Sequence, residues 1–299
     1  METRMQKPED ALRQSRPLRS PEQIGADTTP SYLPMPAPLV APIKAKILLA
    51  AECSRNGIIY RPVAEAQEFR HVNWLLNRRD YQVGYFDVPL TSIVSLEHKQ
   101  MAPNASTWRE LFGGLVCSDW DGRALAYFES EIGAKPFPAT GANGALELYA
   151  RGGAVQCTNG HHRLIAAVVW LASRFGDTAE LRKVRVGYTT VPRQVLQLIS
   201  TGVQQGKRVD IAEIDDGALI RVSTARTAEF WRKTGEDLEP HRVQRGLAEW
   251  YRRRKNPADD EEFGLRWFNV PSSLIAAVAD DAWLCEQLAR PRYTDKPTH

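Results

Sequence analysis

The sequence predicts an α+β protein, a small mixed sheet with helices that is followed by a helical C-terminal region. Two observations carry this prediction. Apolar residues recur near helical spacing in 64–79, whereas 82–90 and 183–189 have the composition and alternation of strands. Along the chain the elements follow the order strand, helix, irregular insert, hairpin, helix, strand and helix. That order indicates a small mixed α/β or α+β core.

Residues 1–43 differ from the rest of the chain because they carry eight prolines and few residues that a core would bury. This composition is typical of a disordered or extended tail. Order is expected to begin near Lys44, where the sequence turns apolar. We therefore divide the chain into a tail at 1–43, a domain at 44–215 and a helical C-terminal region at 216–299.

The middle of the chain combines clear elements with one irregular stretch. Residues 97–112 have a helical pattern that Pro103 interrupts, and 119–143 are rich in loop signals. Gly152 and Gly153 supply the turn of a hairpin, whose second strand leads into Asn159-Gly160 and an apolar helix. A short helix is expected at 194–199, and beyond Gly206 the pattern is helical and polar.

The composition limits the class of protein. The 299 residues are 43% hydrophobic and 25% charged, and the net charge of +3 is too small to argue nucleic-acid binding by itself. No run approaches the ~18 apolar residues of a membrane span, and the first residues lack the apolar core of a signal peptide. The four cysteines form no Cys-x-x-Cys pair, so neither a disulfide framework nor a zinc site is expected. A reducing, cytoplasmic location follows as the expectation.

The most informative stretch is AVQCTNGHHRLIAAVVWLA, residues 154–172. Asn159 is a preferred N-cap residue, which makes Gly160 the first helical position. The unpaired amides and the dipole at such a helix start attract anions, and a glycine lets a phosphate approach the backbone. Arg163 adds a planar fork of donors, while His161 and His162 donate hydrogen bonds or hold a water. The pattern favours a phosphate site on a buried helix, with a solvated helix cap as the alternative.

The chain has a strand, then the sequence Asn-Gly-His-His-Arg, then an apolar helix. This succession resembles the nucleotide-binding box of the ParB/sulfiredoxin superfamily. The resemblance covers roughly residues 82–215 and implies a ParB/sulfiredoxin-like fold for the domain at 44–215. It also implies that Gly160, His161, His162 and Arg163 bind the phosphates of ATP or CTP. Asn159 opens this box, and Mg²⁺ is the expected counterion.

The chain departs from several members of that superfamily. Asn159 stands where aspartate is usual, so a carboxylate that would help to hold Mg²⁺ is missing. Sulfiredoxins have a cysteine where this chain has His161, which argues against sulfinic-acid reduction, and partitioning ParB proteins have Glu-Arg-Arg. The His-His form is most similar to ParB-like small-molecule kinases and to ParB-like nucleotidases and nucleases.

Glu97 follows the first predicted strands. In the ParB-like kinases a glutamate from this part of the fold is the base that acts on the acceptor hydroxyl, and the resemblance gives Glu97 that role. His162 and Arg163 complete the expected catalytic set. A solvated helix residue is the alternative for Glu97.

Two further segments carry weaker predictions. The segment 199–214 is similar to the part of ParB-like domains that places Gln205 near the nucleotide; a basic loop before a helix N-cap at Asp210 is the alternative. Asp119 and Asp121, in Ser-Asp-Trp-Asp-Gly, favour a turn over a metal site.

The segment 241–256 is basic and contains Trp250 and Tyr251. A basic helix with aromatic residues can bind phosphate backbones and stack bases, so it is a candidate DNA surface. Acidic residues at 259–262 make a solvated, salt-bridged helix an equal alternative. The candidate DNA contacts are Arg242, Arg245, Arg252, Arg253 and Arg254.

Three hypotheses about function follow. The first is a nucleotide-binding protein that hydrolyses ATP or CTP and acts on DNA. The second is a kinase for a small hydroxyl compound of the free amino acid type, with Glu97 as base. The third is a non-enzymatic, DNA-associated regulatory module.

Overall fold

The computed structural model describes residues 42–77, 80–142, 144–241 and 264–295. The predicted tail therefore lies outside the described residues, except that Pro42 and Ile43 belong to the first helix. Each helix and strand below is given with its bounds in this structure.

The first part of the chain contains both helices and strands. In order these are α1 (Pro42–Ser54), α2 (Ala66–His71), β1 (Gln82–Pro89), β2 (Ile93–Leu96), α3 (Trp108–Gly114), α4 (Gly122–Phe128), β3 (Glu147–Arg151), β4 (Ala154–Asn159), α5 (His161–Phe175) and β5 (Glu180–Thr189). The predicted first strand, the β3–β4 hairpin, the apolar helix and the strand at 183–189 are all confirmed. The helix expected at 97–112 is shorter and begins only at Trp108, after Pro103.

These strands form a mixed sheet in the order β1-β5-β3-β4-β2. β2 runs parallel to β4 and β3 runs parallel to β5, while β1–β5 and β3–β4 are antiparallel. α5 leaves the end of β4 and is buried along residues 164–172, where it shares one core with the sheet and α1. A helix that is apolar on every side needs such surroundings, and this burial fixes its N-terminal end firmly.

The second part of the chain forms another sheet. Its elements are α6 (Arg193–Gln204), β6 (Arg208–Ile214), β7 (Gly217–Ser223), β8 (Ala228–Thr234), β9 (Asp237–Pro240), β10 (Trp267–Asn269), α7 (Ser272–Ala279) and α8 (Ala282–Ala289). The strand order is β10-β6-β7-β8-β9, and every neighbouring pair is antiparallel. The described residues are thus mixed α and β, in two sheets with several helices.

The prediction of a helical C-terminal region at 216–299 is wrong for residues 217–240. These residues form β7, β8 and β9, and the β6–β7 hairpin also spans the predicted boundary at 215. Strands here bury apolar side chains on both faces, since Ile220 and Val222 join one core cluster and Leu219 joins another. Burial on both faces removes the apolar–polar alternation by which a strand is recognised in a sequence.

No helix among the described residues combines the length and the apolar character that crossing a bilayer requires.

Candidate functional site

α5 begins differently from the prediction. Gly160 is the N-cap residue and His161 is the first helical residue, so the expectation that Asn159 caps the helix is wrong. Gly160 has a φ of +83°, a left-handed conformation that favours glycine. Asn159 ends β4, and its Nδ2 donates to the carbonyl of Ala145 at 2.9 Å. The Asn159 side chain therefore binds the segment between α4 and β3, which we call the insert, and does not cap the helix.

The first amides of α5 are left without partners. Leu164 is the first residue whose N–H bonds back into the helix, to the carbonyl of Gly160 at 2.9 Å. Among the described residues no acceptor binds the N–H groups of His161, His162 and Arg163. These three donors lie at the positive end of a 15-residue helix, where an anion is stabilised.

Arg163 is buried, with 7% of its surface exposed. Its Nη1 donates to the carbonyl of Gly144 at 3.0 Å and its Nη2 to that of Ala145 at 3.4 Å. The guanidinium carbon also lies 5.7 Å from the centre of the Phe137 ring. Arg163 is therefore not a free arm at the helix tip. Together with Asn159 it holds residues 144–145 against the start of α5.

A cavity of about 350 Å³ opens at this helix tip, and we call it the tip cavity. Residues 160–163 form one side, residues 139–142 of the insert form another, and Trp120 and Phe137 add aromatic walls. The two rings meet edge to face at 5.0 Å. The volume falls within the range of small-molecule sites, and the wall combines apolar surface with a few converging donors.

Glu97 and His98 lie beside the tip cavity. The N–H of Glu97 donates to the carbonyl of Cys157 at 3.0 Å, which fixes the end of β2 next to β4. The His98 ring lies 5.3 Å from the His161 ring. The structure thus brings Glu97 close to the predicted phosphate loop, although Glu97 is not among the residues that line the cavity.

The two histidines of the box differ. His162 is exposed, whereas His161 is half-buried and its Nε2 is buried with no partner among the described residues. Burial, together with the nearby His98, lowers the pKa of His161, and Glu97 opposes this effect. His161 is accordingly neutral near pH 7 and has a ring nitrogen free to bond a ligand.

Gln205 does not belong to this group. It follows the last residue of α6, is exposed, and is not among the residues that line the tip cavity. The alternative of a helix N-cap at Asp210 is also wrong, because Asp210 lies in β6. Its carboxylate is fully buried and bonds Arg208 at 2.6 Å and Arg221 at 2.9 Å.

The structure offers little to hold a metal ion. Asp121 is the N-cap of α4 and accepts from the N–H of Arg123 at 2.8 Å, so the expected turn leads into a helix that the loop signals of 119–143 did not predict. Among the described residues no three metal-ligating side chains come together, and none that lines the tip cavity carries a carboxylate. Protein-held Mg²⁺ uses one or two carboxylates, so this donor set does not fit a resident Mg²⁺ ion.

Sequence reasoning missed the part played by the insert. Phe137 was assigned only to the irregular stretch 119–143, and no contact was expected of Gly144 or Ala145, yet all three contact Arg163 or Asn159. The glycines and prolines of 133–144 signal a loop but do not indicate where it folds back. The contact of His98 with His161 was also missed, because His98 follows β2 and His161 begins α5, and the two are far apart in the sequence.

The candidate DNA-binding residues Arg242, Arg245, Arg252, Arg253 and Arg254 lie outside the described residues, so that hypothesis stays a prediction. Scans of protein-family models, of curated proteins and of solved structures gave no match to this chain. The function must therefore be inferred from the geometry of the site.

Proposed function

We propose that this protein binds a nucleoside triphosphate, ATP or CTP, with its phosphates at the start of α5, and that it hydrolyses the nucleotide. One observation carries the proposal. The N–H groups of His161, His162 and Arg163 have no acceptor among the described residues, and they lie where a cavity of about 350 Å³ opens. Free amides at a helix start and a cavity beside them are the parts of a phosphate site.

The other walls of the tip cavity support a nucleotide over a bare anion. Trp120 and Phe137 offer ring surface on which a base can stack. Arg163 lies at the same wall and adds a positive charge that no acid among the described residues pairs with. A base and a polyphosphate need these two kinds of wall within a few ångströms of each other.

The groups beside the tip support hydrolysis. Attack of water on the terminal phosphate needs a proton acceptor, and cleavage leaves charge on the bridging oxygen. Glu97 and neutral His161 are the candidate acceptors, and the α5 amides with Arg163 stabilise the charge. Because the cavity walls carry no carboxylate, we expect Mg²⁺ to arrive bound to the nucleotide phosphates.

Phosphate transfer to a small hydroxyl compound is the second candidate function. A further cavity adjoins Arg163 on the side of the insert, and a transferase needs room for a second substrate. In that case Glu97 takes the hydroxyl proton. Association with DNA remains a hypothesis about the basic segment 241–256.

Thermal unfolding of the full chain with ATP, CTP and GTP, each with and without Mg²⁺, tests the proposal. We expect ATP or CTP to raise the unfolding temperature, since a ligand that binds only the folded state stabilises it. His162→Ala removes an exposed side chain and should leave this shift largely intact. Arg163→Ala should remove most of it.

Arg174→Ala is the matched control, because Arg174 lies exposed at the far end of the same helix. It should leave the nucleotide-induced shift unchanged. The proposal fails if no triphosphate stabilises the wild-type chain, or if Arg163→Ala and Arg174→Ala respond to the nucleotide equally. Release of inorganic phosphate, followed with and without hydroxyl compounds, then separates hydrolysis from transfer.

A further inference from the structure

A second cavity, of about 390 Å³, lies on the other side of Arg163, and we call it the insert cavity. It shares Phe137, Ala142 and Arg163 with the tip cavity but is otherwise lined by different residues. The side chains that decide its chemistry are Tyr85, Tyr127, Lys135, Phe137, Arg163 and Arg185. Neither the ParB-like resemblance nor the sequence pattern assigns a role to it.

Three aromatic rings form its walls. Tyr85 comes from β1, Tyr127 from α4 and Phe137 from the insert, and the last two meet edge to face at 5.1 Å. Tyr127 and Phe137 are buried and belong to the main core, so these walls are firm. Burial raises the pKa of Tyr127, which keeps its hydroxyl protonated and able to donate. Firm rings on several sides suit a flat ligand.

The charge of the insert cavity is positive. Arg185 is paired with Glu147 at 2.5 Å, whereas Arg163 donates to backbone carbonyls, lies near Tyr127 and Phe137, and has no acidic partner among the described residues. Lys135 is exposed and has no acidic partner in the described part of the chain. No residue that lines the cavity carries a carboxylate. Two cations without an acid therefore face one aromatic space.

We propose that the insert cavity binds a small planar anion, an aromatic or heteroaromatic ring that carries one carboxylate or phosphate group. The ring lies between Tyr85 and the Tyr127–Phe137 pair, and the anionic group lies toward Lys135 and Arg163. This inference needs no nucleotide in the tip cavity. It adds to the proposed function a site for a second ligand that shares Arg163.

Calorimetric titration of the full chain with benzoate, phenyl phosphate and neutral benzamide tests the inference. We expect either anion to bind, and benzamide to bind at least tenfold more weakly. Whichever anion binds more tightly identifies the preferred group. Lys135→Gln should weaken anion binding by about threefold to fivefold, as for one partly solvated charge pair. Tyr85→Leu should weaken all three probes because it removes one wall.

Lys46→Gln is the matched control, since Lys46 is another exposed lysine and lines neither cavity. Equal losses in Lys46→Gln and Lys135→Gln, or the absence of binding by both anions, would overturn the inference. Displacement of phenyl phosphate by uncharged adenosine or cytidine would also overturn it, because the cavity would then hold the base of a nucleotide. Failure of triphosphates to stabilise the chain would leave these results unaffected, so the two proposals are tested separately.

Discussion

The starts of α3 and α5 differ in their capping, because α3 has a side-chain cap and α5 has none. At α3, Thr107 caps the helix and its Oγ1 accepts from the N–H of Glu110 at 3.3 Å. The Glu110 carboxylate accepts in return from the N–H groups of Thr107 at 3.1 Å and Ser106 at 2.7 Å. These bonds lower the pKa of Glu110, with Ser106 as the largest contributor. The cap thus satisfies the third helical amide, whereas the N–H groups of Trp108 and Arg109 have no acceptor among the described residues.

At α5 no side chain caps the helix start. Gly160 has no side chain with which to cap, and the first three helical amides have no acceptor among the described residues. The nearest polar side chain, Asn159, bonds Ala145 instead. A helix that only supports the fold gains stability from a cap, whereas a helix that binds an anion must keep its amides free. Helices α6, α7 and α8 also start without a side-chain cap, so what distinguishes α5 is the combination of uncapped amides with Arg163 and the rings of Trp120 and Phe137 in one cavity.

Of these substitutions, Gly160→Ala should change stability and nucleotide binding most. The left-handed backbone costs an alanine about 1–2 kcal/mol. In addition, the new Cβ would lie 2.9 Å from Cδ1 of Leu146 and 3.0 Å from Nη2 of Arg163. We expect a loss of that size in the free energy of unfolding, measured by denaturant, and loss of the nucleotide-induced thermal shift.

Gly122→Ala provides the control, because Gly122 is the first residue of α4 and a Cβ there would meet nothing within 4 Å. It should change neither stability by much nor the response to nucleotide. If Gly160→Ala binds nucleotide as the wild type does, the open helix start is not the phosphate site.

Removing the cap of α3 should lower stability without changing the response to nucleotide. Thr107→Ala is expected to lower the free energy of unfolding by about 1 kcal/mol, the usual loss for an N-cap residue. The nucleotide-induced shift should stay as in the wild type, because the capping residues of α3 do not line the tip cavity. Denaturant unfolding and thermal shift with nucleotide measure the two effects. A large change in nucleotide response would mean that α3 takes part in the site.

Asn159→Asp tests why an amide stands at that position. The Nδ2 of Asn159 donates to the carbonyl of Ala145, and a carboxylate cannot donate. We expect a stability loss of about 0.5 kcal/mol, the low end for a hydrogen bond near the surface. Residues 139–146 should exchange amide hydrogens faster, and Asn159→Ser serves as the neutral comparison. Unchanged exchange in the aspartate variant would show that Arg163 holds the insert alone.

Local patterns in the sequence were sufficient for much of the first sheet. The glycine pair at 152–153 predicts the β3–β4 hairpin, and the apolar run after Arg163 predicts the buried helix α5. Each of these signals lies within one element or one turn, so neighbouring residues alone determine it. The position of Glu97 near the box came only from the resemblance, and the structure places it beside His161.

What the sequence did not reveal depends on contacts between distant segments. Asn159 is a residue type that often caps helices, but its side chain donates to the carbonyl of Ala145, 14 residues earlier. Asp210 is also a common N-cap residue, but it lies in β6, where its carboxylate pairs with two arginines. The second sheet was missed because burial on both faces hides the alternation of its strands. In each case a tertiary partner overrode a local preference.

The smallest expected effect is a change in the pKa of His161 when a nucleotide binds. This change distinguishes an open helix start from an occupied one. Burial and then His98 lower the pKa of His161 from 6.5, whereas burial and Arg266 lower that of His71, which stacks on Phe268. Because both pKa values are lower in the folded chain, the unfolded chain binds more protons as the pH falls below about 6.5, and stability falls over that range. A triphosphate at α5 adds negative charge and should raise the pKa of His161 but not that of His71. Histidine proton NMR titrated with and without nucleotide measures both groups in one sample. Equal shifts at the two histidines, or none at His161, would contradict an anion at this helix start.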